Sequence, residues 1–69
     1  MSETFKMVTV VGTSPTSIDE AIRNAITDTS STLRNLGWFE VQEIRGRIDD
    51  GGVAEFQIKI QIGLQIERG

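Results

Sequence analysis

Cysteine and histidine are both absent from this chain of 69 residues. Without cysteine the chain can form neither disulfides nor thiolate metal sites. Without histidine it lacks the commonest metal ligand and the commonest general base, and no serine or threonine has a partner that could activate it. The carboxylates are not spaced like those of a calcium-binding loop. We therefore expect no catalytic residues, no metal site and no enzymatic activity.

Positive charge is also scarce, because 7 lysines and arginines stand against 10 aspartates and glutamates. A net charge of −3 disfavours nucleic-acid binding, which needs a clustered basic surface. No apolar run approaches the length of a membrane span, and the amino-terminal residues lack the charged-then-apolar order of a secretory signal. We expect a cytoplasmic protein that binds neither nucleic acid nor membranes.

The short length limits the core that this chain can build. It predicts one domain over residues 1–69. A single core of this size rarely supplies more than about 3–5 kcal/mol, and small domains make up the difference with disulfides, metals or self-association. Because the first two are excluded or unsupported, the composition favours a homo-oligomer.

Three segments have the composition or the alternation of β-strands: Thr4–Val11, Trp38–Ile48 and Ala54–Ile66. Gly12–Pro15 breaks the first pattern and predicts a turn. The apolar positions change phase within the second segment, which predicts a β-bulge near Glu43–Gly46. Asp49–Gly52 predicts a hairpin turn between the second and third strands. The third segment keeps one apolar and one polar face along its whole length.

One helix is predicted from Ser17 to Leu36, because apolar residues recur there at helical spacing. Ser17 and Glu20 form a capping box, in which each side chain would accept from the other's backbone N–H. Gly37 would end the helix in a left-handed conformation.

The element order is therefore strand–helix–strand–strand, an α+β fold with an antiparallel sheet. The single helix can cover only one face of the sheet. The other face, together with the long third strand if it lay at an edge, again indicates contacts between subunits.

Three side chains are candidates for a binding site. Trp38 has a broad π-face on which a flat ligand could stack, although a core or interface tryptophan is the commoner case. The Gln57 amide carries a donor and an acceptor that match the imide edge of a pyrimidine-like ring, although taken alone a solvated strand glutamine like Gln61 or Gln65 is the commoner case. Arg45 could bind a phosphate or simply face an acidic residue across the sheet.

Taken together, these residues resemble the dodecin family over about residues 6–67. The segments that carry the resemblance are Val11-Gly12-Thr13-Ser14, Trp38-Phe39-Glu40-Val41-Gln42-Glu43-Ile44-Arg45-Gly46, Glu55-Phe56-Gln57-Ile58 and Ile62-Gly63-Leu64. The resemblance implies an antiparallel sheet wrapped around the helix and a hollow homododecamer. It also implies flavins bound in pairs at subunit interfaces, stacked on Trp38, held at the pyrimidine edge by Gln57 and at the phosphate of flavin mononucleotide by Arg45.

The resemblance implies a flavin-storing and photoprotective protein for flavin mononucleotide or riboflavin. Many bacterial members carry a basic residue where this chain has Gln65, so one phosphate partner is missing. Glu3 and Asp28 are acidic where some members bind coenzyme A through basic residues, so that activity is not expected. The alternatives are a ligand-free interaction module of the same fold, with Trp38 as an interface anchor, and a flavin-dependent redox enzyme, which stacking on Trp38 disfavours by excluding substrate.

Overall fold

A row of alternating isoleucines in the last strand lies at the centre of the fold. A computed structural model describes residues 3–67. Its elements are β1 (Phe5–Ser14), α1 (Ile18–Ser30), β2 (Leu36–Asp49) and β3 (Gly52–Gln65). The three strands form one antiparallel sheet in the order β1-β3-β2. The predicted strand–helix–strand–strand fold is confirmed, with the longest apolar alternation in the central strand.

The buried core consists of the helix-facing residues of β3 and two small helix residues. Ile58, Ile60 and Ile62 are inaccessible to solvent and pack against Ala21 and Ala25 of α1. The β-branched side chains suit a pleated, buried surface, and the two alanines let the helix approach the sheet closely. This row fixes which face of β3 points inward, because a slip of one residue would turn every isoleucine outward.

The helix begins as predicted but ends at Ser30, six residues before the predicted Leu36. Its end coincides with the run Thr29-Ser30-Ser31-Thr32, in which the last three hydroxyls donate to backbone carbonyls three residues earlier. Such side chains compete for the carbonyls that a continuing helix needs. Asn35, with φ of 64°, takes the left-handed conformation predicted for Gly37, which instead lies within β2.

The capping box forms only in part. The Ser17 hydroxyl accepts from the backbone N–H of Glu20 at 3.0 Å, as predicted. The Glu20 carboxylate, however, accepts from the buried hydroxyl of Ser14 at 2.7 Å. The Ser14 oxygen in turn accepts from the backbone N–H groups of Thr16 and Ser17. Ser14 therefore ties the end of β1 to the first turn of α1.

β1 continues through Gly12, so the turn predicted at Gly12–Pro15 was placed too early. Gly12 marks a close approach of strand and helix. A Cβ at this position would overlap the carbonyl oxygen of Ala21 and lie 2.7 Å from the Cβ of Ala25. The sequence pattern could not distinguish this use of glycine from a turn.

A β-bulge restores the inward phase of β2, as predicted, although it lies one residue before the predicted Glu43–Gly46. Val41 faces Ile60 and Glu43 faces Lys59, so Gln42 is the extra residue. Ile44 consequently faces Ile58 on the helix side of the sheet. The predicted hairpin is also present: Asp50 and Gly51 both have positive φ, which is the geometry of a tight type I′ turn.

The helix leaves much of the sheet uncovered. It packs on β1 and, less extensively, on β3, and hardly touches β2. The chain measures 53 × 20 × 13 Å, with a radius of gyration of 14.3 Å. A compact chain of this length has a radius of gyration of about 11 Å. No helix among residues 3–67 is both long enough and apolar enough to cross a membrane.

Gly12→Ala is expected to lower the free energy of unfolding by about 1–3 kcal/mol, because the added methyl group has no space between β1 and α1. Gly52→Ala is the matched control, since a Cβ there comes no closer than 4.0 Å to the Asp49 carbonyl oxygen. Urea denaturation of both variants measures the difference. Equal stability of the two variants would contradict the close approach at Gly12.

Candidate functional site

The face of the sheet that points away from α1 carries every candidate site residue. We call it the open face, and it is defined by the β3 residues Glu55, Gln57, Lys59, Gln61 and Gly63 with their partners on β1 and β2. Its residues alternate with the buried isoleucines, so they project to the opposite side. Its character changes along the strands, from aromatic near the end of β3 to charged near the hairpin.

The Trp38 indole lies flat on the open face, over Gly63. Gly63 is the cross-strand partner of Trp38. A Cβ built on Gly63 would lie 2.5 Å from both Cε2 and Cη2 of the indole and closer still to Cζ2. Near-equal distances to three adjacent ring atoms place this position over the ring face, because an approach to the ring edge would bring one atom clearly nearer than its neighbours. The strand therefore covers one face of the indole, and the side chain is 44% exposed.

Phe5 contacts the same indole. The two ring centroids are 5.0 Å apart and the planes are inclined at 70°, an edge-to-face arrangement. This geometry is favourable because the positive edge of one ring meets the negative π-face of the other. Phe5 comes from the start of β1, so the aromatic end of the open face is built by all three strands.

Gln57 lies at the other end of the open face, and its amide is oriented by a neighbour. Its Nε2 donates to Oε1 of Glu55 at 2.9 Å. This bond uses one amide N–H and leaves the carbonyl oxygen and the second N–H to other partners. Gln57 is half-buried in the central strand. Its remaining donor and acceptor form the pair that the sequence suggested for an imide edge.

Arg45 lies directly opposite Gln57 in the sheet register. Its Nη1 is 3.4 Å from Oε1 of Glu43, and both side chains are about half exposed. Exposed ion pairs of this kind are worth about 0–1 kcal/mol. Arg45 can therefore exchange Glu43 for another anion at little cost.

The structure brings Gln57 and Arg45 together but holds Trp38 apart from them. Gly63, over which the indole lies, comes six positions after Gln57 in β3. At a rise of about 3.3 Å per residue, this corresponds to about 20 Å. A planar ligand made of three fused six-membered rings is shorter than this distance. One such ligand therefore cannot contact both Trp38 and Gln57 of the same chain.

Sequence reasoning missed three residues that shape this face, namely Phe5, Glu55 and Gly63. Gly63 did leave a trace, since it interrupts the row of long polar side chains on the outer face of β3. Phe5 and Glu55 gave no comparable signal, because their roles depend on pairings between residues far apart in sequence or on one side-chain rotamer.

Gln65 offers no basic group to an anion, and its amide is engaged with an acidic neighbour. Gln65 Nε2 donates to the Glu3 carboxylate at 2.7 Å. Glu3 thus adds negative charge near the end of the open face that carries Phe5. Within residues 3–67, no group of three or more aspartates or glutamates is arranged to hold a metal ion.

A second uncovered surface lies on the helix side of β2. We call it the β2 groove: Ile22, Ile26 and Phe39 line it together with Asp19, Arg23 and Thr27, and Val41 and Ile44 follow Phe39 on the same side of β2. Phe39 and Val41 are each more than two-fifths exposed, and Ile44 is 62% exposed. Exposed apolar side chains grouped on one side of a strand are characteristic of an interaction site.

Comparison with known proteins gives one family throughout. The Dodecin family model matches residues 4–67. The dodecin of Thermus thermophilus is 43% identical over 67 residues, which make up 97% of each chain. The structure of dodecin from Streptomyces coelicolor superposes with a TM-score of 0.94 at 48% identity, covering 97% of this chain and 96% of that one. Dodecin from Streptomyces davaonensis superposes with a TM-score of 0.95 at 43% identity, covering 99% and 100%.

Proposed function

The chain belongs to the dodecin family, and we propose that it binds and sequesters a flavin between the subunits of a homododecamer in the cytoplasm. The observation that carries the proposal is the Trp38 indole, which lies flat on Gly63 with its outer face exposed. A large aromatic surface held open in this way suits stacking of a planar heterocycle such as isoalloxazine. Stacking a nucleobase on an aromatic side chain is worth roughly 1–3 kcal/mol.

The proposed site combines residues of different subunits. Trp38 and Gln57 lie about 20 Å apart within one protomer, as judged from the rise of β3. A flavin stacked on Trp38 can therefore meet a Gln57 amide only from another copy of the chain. The Glu55 hydrogen bond supports this role, because it holds the amide with its oxygen and one N–H free. These two groups complement the N–H and C=O of the flavin pyrimidine ring.

Self-association is supported by how much apolar surface one protomer leaves exposed. The β2 groove lies on one side of the sheet, and the aromatic end of the open face lies on the other. A second copy of the chain is the occupant that we propose for the β2 groove. Both sides of the sheet thus carry apolar surface that a closed assembly would bury, and the elongated protomer would gain the core that it lacks.

The proposed consequence of stacking is rapid quenching of the flavin excited state. An indole in van der Waals contact with an excited flavin can donate an electron to it, and the electron then returns to the indole. The pair regains its ground state with no net chemistry. The same contact covers a face of the flavin ring and so hinders the approach of a substrate. We therefore propose storage and photoprotection as the function, without enzymatic activity.

The ligand is proposed to be riboflavin or flavin mononucleotide, with Arg45 as the contact to the phosphate of the latter. Arg45 lies beside Gln57 and is engaged only in an exposed ion pair with Glu43. The planar guanidinium matches phosphate oxygens geometrically. At Gln65 the neutral amide and the neighbouring Glu3 carboxylate provide no second cation.

Trp38→Ala and Gln57→Ala are expected to fail in different ways. Loss of the indole should weaken the binding of every flavin alike and restore the fluorescence of the flavin that still binds. Loss of the amide should cost roughly 1–3 kcal/mol, about one to two decades of affinity, because a buried imide loses its partners. Flavin bound to Gln57→Ala should still be quenched, because quenching requires only the indole. Fluorescence titration with riboflavin measures both effects.

Gln61→Ala is the matched control for Gln57→Ala, because Gln61 lies on the same face of β3 and donates to Thr9. It should bind flavin like the parent. The stacking role is wrong if Trp38→Ala assembles normally, binds flavin as tightly as the parent and still quenches it. A purified parent protein that carries and takes up no flavin would support the ligand-free interaction module instead.

Arg45→Ala is expected to weaken flavin mononucleotide binding more than riboflavin binding, because only the former carries a phosphate. Arg47→Ala is the control, since Arg47 lies on the same strand and its Nε is 3.9 Å from the Glu55 carboxylate. Parallel titrations with the two flavins give the comparison. Equal losses for both ligands in Arg45→Ala would show that Arg45 does not contact the phosphate.

The chain is expected to sediment as a large closed assembly in dilute buffer, with a native mass near twelve protomers of 7.6 kDa each. Ile44→Lys should disrupt that assembly, because it places a charge in the β2 groove without altering the protomer core. Sedimentation velocity at micromolar concentration measures both proteins. A stable, folded monomer of the unmodified chain would overturn the proposed assembly.

A further inference from the structure

We propose that Gly63 and Phe5 are positioning residues that hold the Trp38 indole flat on the sheet, so that a ligand can reach only its outer face. The inference rests on the proposed flavin function for its ligand, but the arrangement of the indole can be tested without any flavin. Because the ligand stacks on the outer face of the indole, Gly63 and Phe5 would not contact it across the covered face. Both act through Trp38.

Gly63 is needed because the indole occupies the space of a side chain at this position. The contacts of a hypothetical Cβ are with three atoms of a rigid ring, two of them at 2.5 Å. Real Cβ atoms do not approach other atoms so closely, and a rigid ring cannot yield at one atom. Any residue other than glycine would therefore force the indole into another rotamer, off the strand.

The backbone conformation does not explain the glycine. Gly63 pairs with Met7 on one side and with Trp38 on the other, beside a register shift at Gly37, and it does not have a positive φ. Its missing side chain is thus used for space alone. A strand interior normally loses stability from glycine, and here that loss is offset by the seated indole.

Phe5 restrains the remaining freedom of the indole. Gly63 lies beneath one ring face and leaves sliding along the sheet unrestrained. The edge-to-face contact of Phe5, at 5.0 Å and 70°, limits that motion. A ring held in place before the ligand arrives loses less conformational freedom on binding, which is worth about two- to tenfold in affinity for one side chain.

The spectroscopy of the flavin-free protein isolates this arrangement. Trp38 is the only tryptophan and tyrosine is absent, so tryptophan emission and near-ultraviolet circular dichroism come essentially from one indole. Gly63→Ala should weaken the dichroism, lower the emission anisotropy and reduce flavin affinity at least tenfold. Gly37→Ala is the matched control, because a Cβ at this neighbouring glycine is 3.6 Å from the nearest atom, an ordinary contact.

The second pair of variants tests Phe5 and does not depend on Gly63. Phe5→Leu keeps the apolar volume but removes the ring, and should lower flavin affinity about two- to tenfold with a smaller loss of dichroism. Phe5→Tyr restores the ring and should restore flavin affinity to the parent value. Native mass for each variant separates movement of the indole from loss of assembly.

The outcomes separate the two proposals. A parent protein that binds no flavin overturns the proposed function, whereas the emission and dichroism of Gly63→Ala still decide the position of the indole. Unchanged indole spectra in an assembled Gly63→Ala would overturn the role of Gly63. If that variant fails to assemble, the Phe5 pair decides: a loss in Phe5→Leu that Phe5→Tyr recovers supports the role, and identical behaviour of the two variants overturns it.

Discussion

The packing of three β3 isoleucines against two alanines of a single short helix is the interaction on which this structure depends. It involves β3, the central strand of the sheet, and sets which face of that strand is buried. Because 13 helical residues cannot cover a sheet with strands of 10 to 14 residues, the same packing leaves one sheet face and most of β2 without cover. A small core and extensive exposed apolar surface are therefore two results of one constraint.

The candidate site follows from that constraint. The open face carries a seated indole at one end and an amide beside an arginine at the other, and the rigid central strand keeps them apart. Neither end alone both stacks a planar ring and hydrogen-bonds its edge. Assembly would then bring complementary ends of different subunits to one ligand, so the need for partners and the proposed function have the same structural origin.

Much of the fold was predictable because it is encoded in local patterns. Period-two alternation predicted β3, the phase change predicted a bulge in β2, and Asp-Gly predicted the hairpin. The helix end was not predictable from spacing, because the outcome depended on competition between hydroxyls of Ser30 and its neighbours and the helical hydrogen bonds. Gly12 was interpreted as part of a turn and the role of Gly63 was missed for another reason. Each glycine leaves room for a group on another element, the helix for Gly12 and the indole of Trp38 for Gly63.

For the site, the sequence predicted the kinds of group but not their arrangement. Trp38, Gln57 and Arg45 were identified by chemistry and resemblance, and Trp38 and Arg45 share a face with Gln57 only because the bulge at Gln42 offsets their opposite parities. Their separation became clear only from the cross-strand register, which pairs Trp38 with Gly63 and Arg45 with Gln57. The Glu55 contact to Gln57 depends on a side-chain rotamer that no sequence pattern records.

The bulge at Gln42 reverses the inward and outward alternation of the β2 residues that follow it. Upstream of it the odd-numbered residues Phe39 and Val41 face the helix side, and downstream the even-numbered Ile44 and Gly46 do so. The extra residue thus lets the indole at one end and the guanidinium at the other share a face, although their positions in the chain differ in parity. Loss of Gln42 alone would consequently exchange the two surfaces of half a strand at once.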